Sequence, residues 1–190
     1  RQMLLEKFNE LCGLTPLPPE VIGVIHSIED NGQLADTIGE GDLATVVLGE
    51  TPFYAEGGGQ VGDTGVIAGP GFRFVVEDCK HSATGHTVHM GRMEAGILSA
   101  GDAVTASVDA ERRRSIMRNH SSCHLLQKAL RTVLGDHVQQ KGSLVNAERT
   151  RFDFAHNAPL TAAQIREIER LVNAEVLANT DTNARLMDIE

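Results

Sequence analysis

The sequence has no long hydrophobic run, no even set of cysteines and no surplus of positive charge, and each absence removes a class of protein. No apolar stretch approaches the roughly 20 residues that a membrane span needs, so no membrane partner is expected. The first residues lack a signal-peptide pattern. The three cysteines, Cys12, Cys79 and Cys123, are odd in number and far apart, which argues against a disulfide framework. A reducing compartment such as the cytoplasm is the expectation. The net charge of −9 counts against a generic nucleic-acid binder, which usually carries a positive footprint.

What is present is an ordinary globular composition: 190 residues, 41% apolar and 23% charged, enough for one sizeable core or two small ones. The chain begins at Arg1 and stops inside the apolar pattern "ARLMDIE", so an excised part of a longer protein is expected. Residues 1–19 read as a short amphipathic helix followed by the linker "TPLPP". From Glu20 to Val108 the texture is β-rich. "VIGVIHSI", "LATVVLG", "FRFVVEDC", "GHTVHMG" and "AVTASVD" read as strands, with "EDNGQ" as a hairpin turn. Short strands at even spacing without intervening helices predict a small barrel.

At Asp109 the pattern turns helical. Asp109 serves as N-cap and the periodicity runs to Leu134, with Gly135 as the stop. "DHVQQKGSLV" and "RTRFDFAH" form a strand pair around a turn at Asn146. Thr161 and Gln164 make a capping box, with Leu160 and Ile165 as a hydrophobic staple, for a helix reaching about Ala178. "ARLMDIE" begins a last strand. Two β-α repeats after a barrel predict an α+β protein of two lobes. Domain limits fall at 1–19, 20–108 and 109–190.

Three stretches carry chemistry. Arg112, Arg113, Arg114, Arg118, Lys128 and Arg131 share one segment, and a solvated helix face is the expectation for them. His120 and His124 stand four apart on the same helix. Ile116, Cys123, Leu126, Leu130 and Val133 form its apolar stripe, and both histidines fall on the flank of that stripe. Two readings stay open from spacing alone: a pair of zinc ligands, or two polar residues bonded to neighbours. A metalloprotease is disfavoured, because Ser121 occupies the place of the glutamate base. Cys123 turns towards the stripe and reads as core. His81, His86 and His89 read as surface or turn histidines. The third stretch, "TPFYAEGGGQVGDTG", holds the single tyrosine and five glycines. It lacks the Gly-Lys-Ser/Thr ending of a phosphate loop and precedes the strand "VIAG", which leaves a tight hairpin or part of a particular site.

In this order, "TPFYAEGGGQVGDTG", "NHSSCHLLQKAL", "HVQQKGSLV" and "RFDF" resemble the editing region of bacterial alanyl-tRNA synthetases and the related freestanding alanyl-tRNA editing proteins. The resemblance covers about Glu20 to Glu190, with residues 1–19 similar to the tail of the preceding tRNA-recognition region. It implies a glycine-rich β-barrel packed on a two-layer α/β editing lobe of the second additional domain type attached to threonyl- and alanyl-tRNA synthetases, truncated here at its C-terminus. It implies hydrolysis of alanine tRNA mischarged with serine or glycine, within a parent that ligates alanine to tRNA(Ala) with ATP. His120 and His124 correspond to the family's first zinc-ligand pair. The second pair, spaced C-x-x-x-H, is absent from this chain, so Zn2+ would be held weakly or not at all. Gln140 matches a pocket position, so Gln140, His120 and His124 are the expected catalytic residues. Gly57, Gly58 and Gly59 are expected as a side-chain-free wall where barrel meets lobe, and Lys141, Arg149 and Arg151 as contacts for the acceptor end of tRNA(Ala). The remaining synthetase domains would be the other partners. A freestanding deacylase and a non-catalytic tRNA-binding module are the competing readings.

Overall fold

The computed structural model describes residues 20–30 and 32–180. The expected helix and linker over 1–19 and the expected last strand at "ARLMDIE" lie outside the described residues. The chain divides into two compact units, which within the described residues cover 20–114 and 115–180.

The first unit is a closed antiparallel barrel. Its strands are β1 (Glu20–Asp30), β4 (Leu43–Leu48), β5 (Gly65–Gly69), β6 (Phe72–His81), β7 (Thr87–Ala95) and β9 (Ala103–Val108). They run in the order β1-β4-β7-β6-β5-β9, and β9 returns to pair with β1 through Val21↔Ala106 and Gly23↔Val104. Closure leaves none of these six strands with an open edge. A short β2 (Gln33–Ala35) folds back on β1, with Asp30 opposite Gln33, as the expected hairpin requires. The small strands β3 (Thr37–Gly39) and β8 (Ile97–Ser99) pair separately.

Alternation explains why these runs become barrel staves. In β4 the buried positions are Ala44, Val46 and Leu48; in β6 they are Phe72, Phe74, Val76 and, past a register shift, Cys79. Each joins Ile25, Ile28, Ile67, Met93 and Leu98 in one apolar core. The bulges in β1 and β6 bend the strands enough to close the circle.

The second unit is α-helical on one side and carries a hairpin. Helix α1 (Ala110–Leu134) starts in the barrel unit and continues through the second. Asp109 Oδ1 accepts from the amides of Glu111 (3.1 Å) and Arg112 (3.0 Å), so its side chain is the cap that opens the helix. At the other end Gly135 takes φ 115° and its N–H donates to Arg131 O at 3.0 Å, which stops the helix. Strands β10 (Gln140–Val145) and β11 (Thr150–Phe154) follow, then α2 (Ala162–Ala178). Among the described residues the order is therefore helix, hairpin, helix, where two β-α repeats were expected. The hairpin is consecutive in sequence and pairs antiparallel, so no crossover helix separates its strands.

The capping box is present in both directions: Gln164 N–H donates to Thr161 Oγ1 at 3.2 Å, and Thr161 N–H donates to Gln164 Oε1 at 2.9 Å. Leu160 packs on the core of this unit, while Ile165 stays 43% exposed, so only the first member of the expected staple is anchored. That core joins Ala129 and Leu130 of α1, Val138, and Ile168 of α2, with Leu126, Val133, Phe152 and Phe154 around them. The chain is thus α+β, with a six-stranded barrel and two described helices. No helix among the described residues is long and apolar enough to cross a membrane.

Candidate functional site

The stripe expected on α1 is found. Ile116, Cys123 and Leu130 are buried and Leu126 and Val133 pack beside them, which turns His120 and His124 to its border. His120 is half-buried and His124 exposed. Their rings lie nearly parallel, 9° apart in plane with centroids separated by 5.4 Å. Burial, and then the nearby His124, push the pKa of His120 below the ordinary imidazole value. The neutral ring is the form that can ligate a metal or accept a proton.

The turn of α1 before the pair is tied to the hairpin by side chains that the sequence did not single out, those of Asn119 and Thr150. Asn119 Nδ2 donates to Asn146 O (2.8 Å), and Asn119 O accepts from Thr150 Oγ1 (3.0 Å) and Ser122 Oγ (2.7 Å). The thiol of Cys123 points to Thr150 Oγ1 at 3.8 Å, and burial raises its pKa, so it faces the packed interior as expected.

Gln140 opens β10, is exposed, and donates through Nε2 to Ser143 Oγ at 3.2 Å. The ladder slips between Gln140 and Gly142, a bulge that changes which way these side chains face. Lys141 is exposed and donates to Gln139 Oε1 at 3.3 Å; Arg149 is exposed beside the Asn146 turn. Arg151 is paired with Asp153 at 3.1 Å, which offsets part of the charge it would offer a phosphate. A second histidine pair, missed in the sequence, joins His137 Nε2 and His156 Nδ1 at 2.9 Å across the open end of the hairpin. Nineteen residues separate them, so only the strand register brings them together.

In the barrel unit, the glycine-rich stretch is a tight turn at its tip. Gly57 and Gln60 exchange both backbone hydrogen bonds (3.1 and 2.9 Å), and Gly58 and Gly59 between them take φ 58° and 83°. Positive φ at both central residues is the pattern of a primed hairpin turn, for which glycine is the natural choice. Gly62 is needed for another reason. A Cβ there would stand 2.7 Å from the backbone nitrogen of Cys79.

Two expectations fail in this unit. His89 is not a surface histidine: it is fully buried, with Nδ1 2.9 Å from Val46 O and Nε2 2.7 Å from Thr51 Oγ1. Its place on the inward face of β7 follows from alternation with Gly91 and Met93, while His81 and His86, outside that strand, are exposed as expected. Nor is the arginine cluster wholly a solvated face. Arg114, Arg118, Lys128 and Arg131 are exposed, but the Arg113 side chain is only 11% exposed and lies on Asp63.

Residues 5–112 match the family described as class II (A) tRNA synthetases. The chain belongs to that family. As a class II synthetase segment it is similar to the alanine–tRNA ligase of Acidovorax sp. (strain JS42), at 69% identity over 79% of this chain and 17% of that protein. It is also similar to the alanine–tRNA ligases of Paracidovorax citrulli, 61% identical over 87% of the chain and 18% of the relative, and Delftia acidovorans, 62% over 84% and 18%. The chain thus spans less than a fifth of the length of these curated relatives. The family match covers the barrel and the first turn of α1, and the similarity to alanine–tRNA ligases extends over most of the chain.

The donors present in this synthetase segment can be set against zinc. His120 and His124 supply two imidazoles from successive turns, the donor type that zinc takes. Four donors are usual, and among the described residues no group of three or more histidine, cysteine or acidic side chains is placed to hold a metal. The pair fits half of such a site.

Proposed function

We propose that the chain is the editing part of an alanine–tRNA ligase and hydrolyses the ester joining serine or glycine to alanine tRNA. The parallel pair of imidazoles at His120 and His124 carries this reading, together with the similarity to alanine–tRNA ligases. An aminoacyl ester is already activated, so its hydrolysis asks for a positioned water and a donor to the developing oxyanion. His120 and His124 would hold zinc together with ligands from elsewhere in the parent protein, and when bound it would supply Lewis-acid polarisation and a more acidic water. Gln140 offers an amide donor and acceptor on an exposed strand start, suited to a serine hydroxyl. Gly57, Gly58 and Gly59 would let a nucleotide approach the backbone closely. Lys141, Arg149 and Arg151 are proposed phosphate contacts for the acceptor end of tRNA(Ala), with Arg151 the weakest because Asp153 shares it.

A separate hydrolytic site makes energetic sense. A synthetic pocket separates ligands differing by one small group only roughly 10–200-fold, and a second site built to bond the extra hydroxyl adds discrimination by hydrolysis. The deciding experiment is deacylation of serine-charged alanine tRNA by the full-length ligase with and without His120→Ala. A loss of at least roughly 100-fold is expected. A variant that deacylates like the wild type removes the reading.

A further inference from the structure

The loop between β4 and β5, residues 49–64, contains the glycine turn but no strand of its own. Phe53, Tyr54 and Ala55 of the loop are buried, and a set of its polar contacts converges on one helix turn. Asp63, 1% exposed, accepts from Tyr54 N–H at 2.6 Å, and its own N–H donates to Tyr54 O at 3.0 Å. The same carboxylate receives Arg113 Nε at 2.8 and 2.9 Å and a second bond from an Arg113 terminal nitrogen. That terminal nitrogen also donates to Pro52 O at 3.0 Å, and Arg112 donates to Gly62 O at 2.9 Å. Two neighbouring guanidinium groups thus hold the entry of the loop at Pro52 and its exit at Gly62 and Asp63. The loop also meets the barrel strands, through Glu56 N–H to Cys79 O of β6 (2.8 Å) and Thr51 Oγ1 to His89 Nε2 of β7 (2.7 Å), while Tyr54 O–H donates to Gly57 O within the loop (3.0 Å).

We infer that Arg113 is a positioning residue, which with Arg112 clamps this loop and presents the Gly57–Gln60 turn in a single shape; its effect on catalysis rests on the editing reading above. Three observations separate such a role from general stabilisation. The side-chain bonds of Arg112 and Arg113, to Gly62, Asp63 and Pro52, all end on the loop and none on a barrel strand. The barrel core contains one loop residue, Phe53, and is otherwise built from strand side chains, so neither arginine is part of it. The fork geometry matters, because two nitrogens of one planar guanidinium grip the carboxylate while one of them also reaches a carbonyl, a bidentate hold that the single nitrogen of a lysine ammonium does not reproduce.

The test uses the full-length ligase with Arg113→Ala, in the presence and absence of methylguanidinium, and Arg113→Lys as a milder variant should the alanine protein fail to fold. Amide hydrogen exchange is read at Tyr54, Glu56, Gln60 and Asp63, with β4 and β7 as the reference. Exchange at the four loop amides should rise about 10-fold or more with the strands unchanged, and methylguanidinium should slow it again. The lysine variant should lie between wild type and alanine. In the deacylation assay kcat should fall by up to about 100-fold with little change in KM, and recover in part with methylguanidinium. Unchanged loop exchange, or a rise shared by β4 and β7, overturns the inference. So does a wild-type kcat with the loop opened. A wild-type ligase with no deacylase activity would sink the editing reading instead, and the exchange experiment, which needs no substrate, would still decide the clamp.

Discussion

His89 makes the barrel sensitive to acid in a way that can be calculated. Val46 O can only accept, so Nδ1 carries the proton and Nε2 accepts from the Thr51 hydroxyl, which itself accepts from Phe53 N–H at 3.1 Å. The ring also meets Phe53 edge-on, with centroids 5.1 Å apart. Burial lowers its pKa from 6.5 to about 4, against a smaller opposing effect of the Val46 carbonyl. The sign follows directly. Above the unfolded value both states are neutral and His89 adds no pH dependence. As pH falls through 6.5 the unfolded chain takes a proton that the folded chain refuses until about 4. Stability is therefore lost between those limits, by about 1.4 kcal/mol per pH unit and about 3 kcal/mol in all, as an upper figure. His89→Asn keeps an N–H near the Val46 carbonyl but leaves the Thr51 hydroxyl without its acceptor, a cost of about 1–3 kcal/mol at neutral pH. Urea unfolding of the two proteins from about pH 7.5 to about pH 4 should then show the gap between them closing as acid is added. Other titrating groups are common to both chains and cancel in the difference. Two pH profiles that stay parallel would refute the lowered pKa that burial gives His89.

Further outcomes can be set beside this one. Gly58→Asn should leave stability nearly unchanged, because asparagine accepts positive φ and a Cβ at Gly58 meets nothing within 4 Å, whereas Gly58→Val should cost about 1–2 kcal/mol. Deacylation by a stably folded Gly58→Asn protein at the wild-type rate would return the loop to being only a turn. Gly62→Ala should destabilise the barrel by about 1–3 kcal/mol, since its Cβ would press on the Cys79 backbone, and thermal melting would show it. Thr161→Ala should cost about 1 kcal/mol through loss of the capping box, and an unchanged urea midpoint would contradict the assignment. Zinc titration of the isolated chain should show weak binding that His120→Ala abolishes; tight stoichiometric binding would mean that donors beyond the two imidazoles take part.

How much of this was legible in the sequence depends on whether the deciding interaction is local. The barrel strands, the Asp109 and Gly135 helix limits and the Thr161–Gln164 box rest on alternation, capping and positive φ, which neighbouring residues specify among themselves. The border position of His120 and His124 follows in the same way from helical period. His89 was misjudged because two histidines close by are exposed, whereas His89 shares the inward phase of β7 with Gly91 and Met93. The His137–His156 pair depends on the β10–β11 register, which "HVQQKGS" and "RFDFAH" do not state separately.

The arginine cluster shows the same limit with a functional consequence. Periodicity places Arg113 on a charged helix surface, and composition then assigns it to solvent. Its partner Asp63 lies fifty residues earlier in a loop whose glycines suggest freedom of shape. The structure reverses both impressions. A buried carboxylate cannot remain unpaired, because leaving one member of such a pair alone costs about 3–5 kcal/mol. Asp63, 1% exposed, therefore requires a cation brought to it, and the first turn of α1 supplies one that also reaches the carbonyl at Pro52. The glycines give the turn its sharp geometry, while the long-range ion pair selects one placement for it. A loop that local residues leave permissive is made specific by a charge from the helix that goes on to carry His120 and His124.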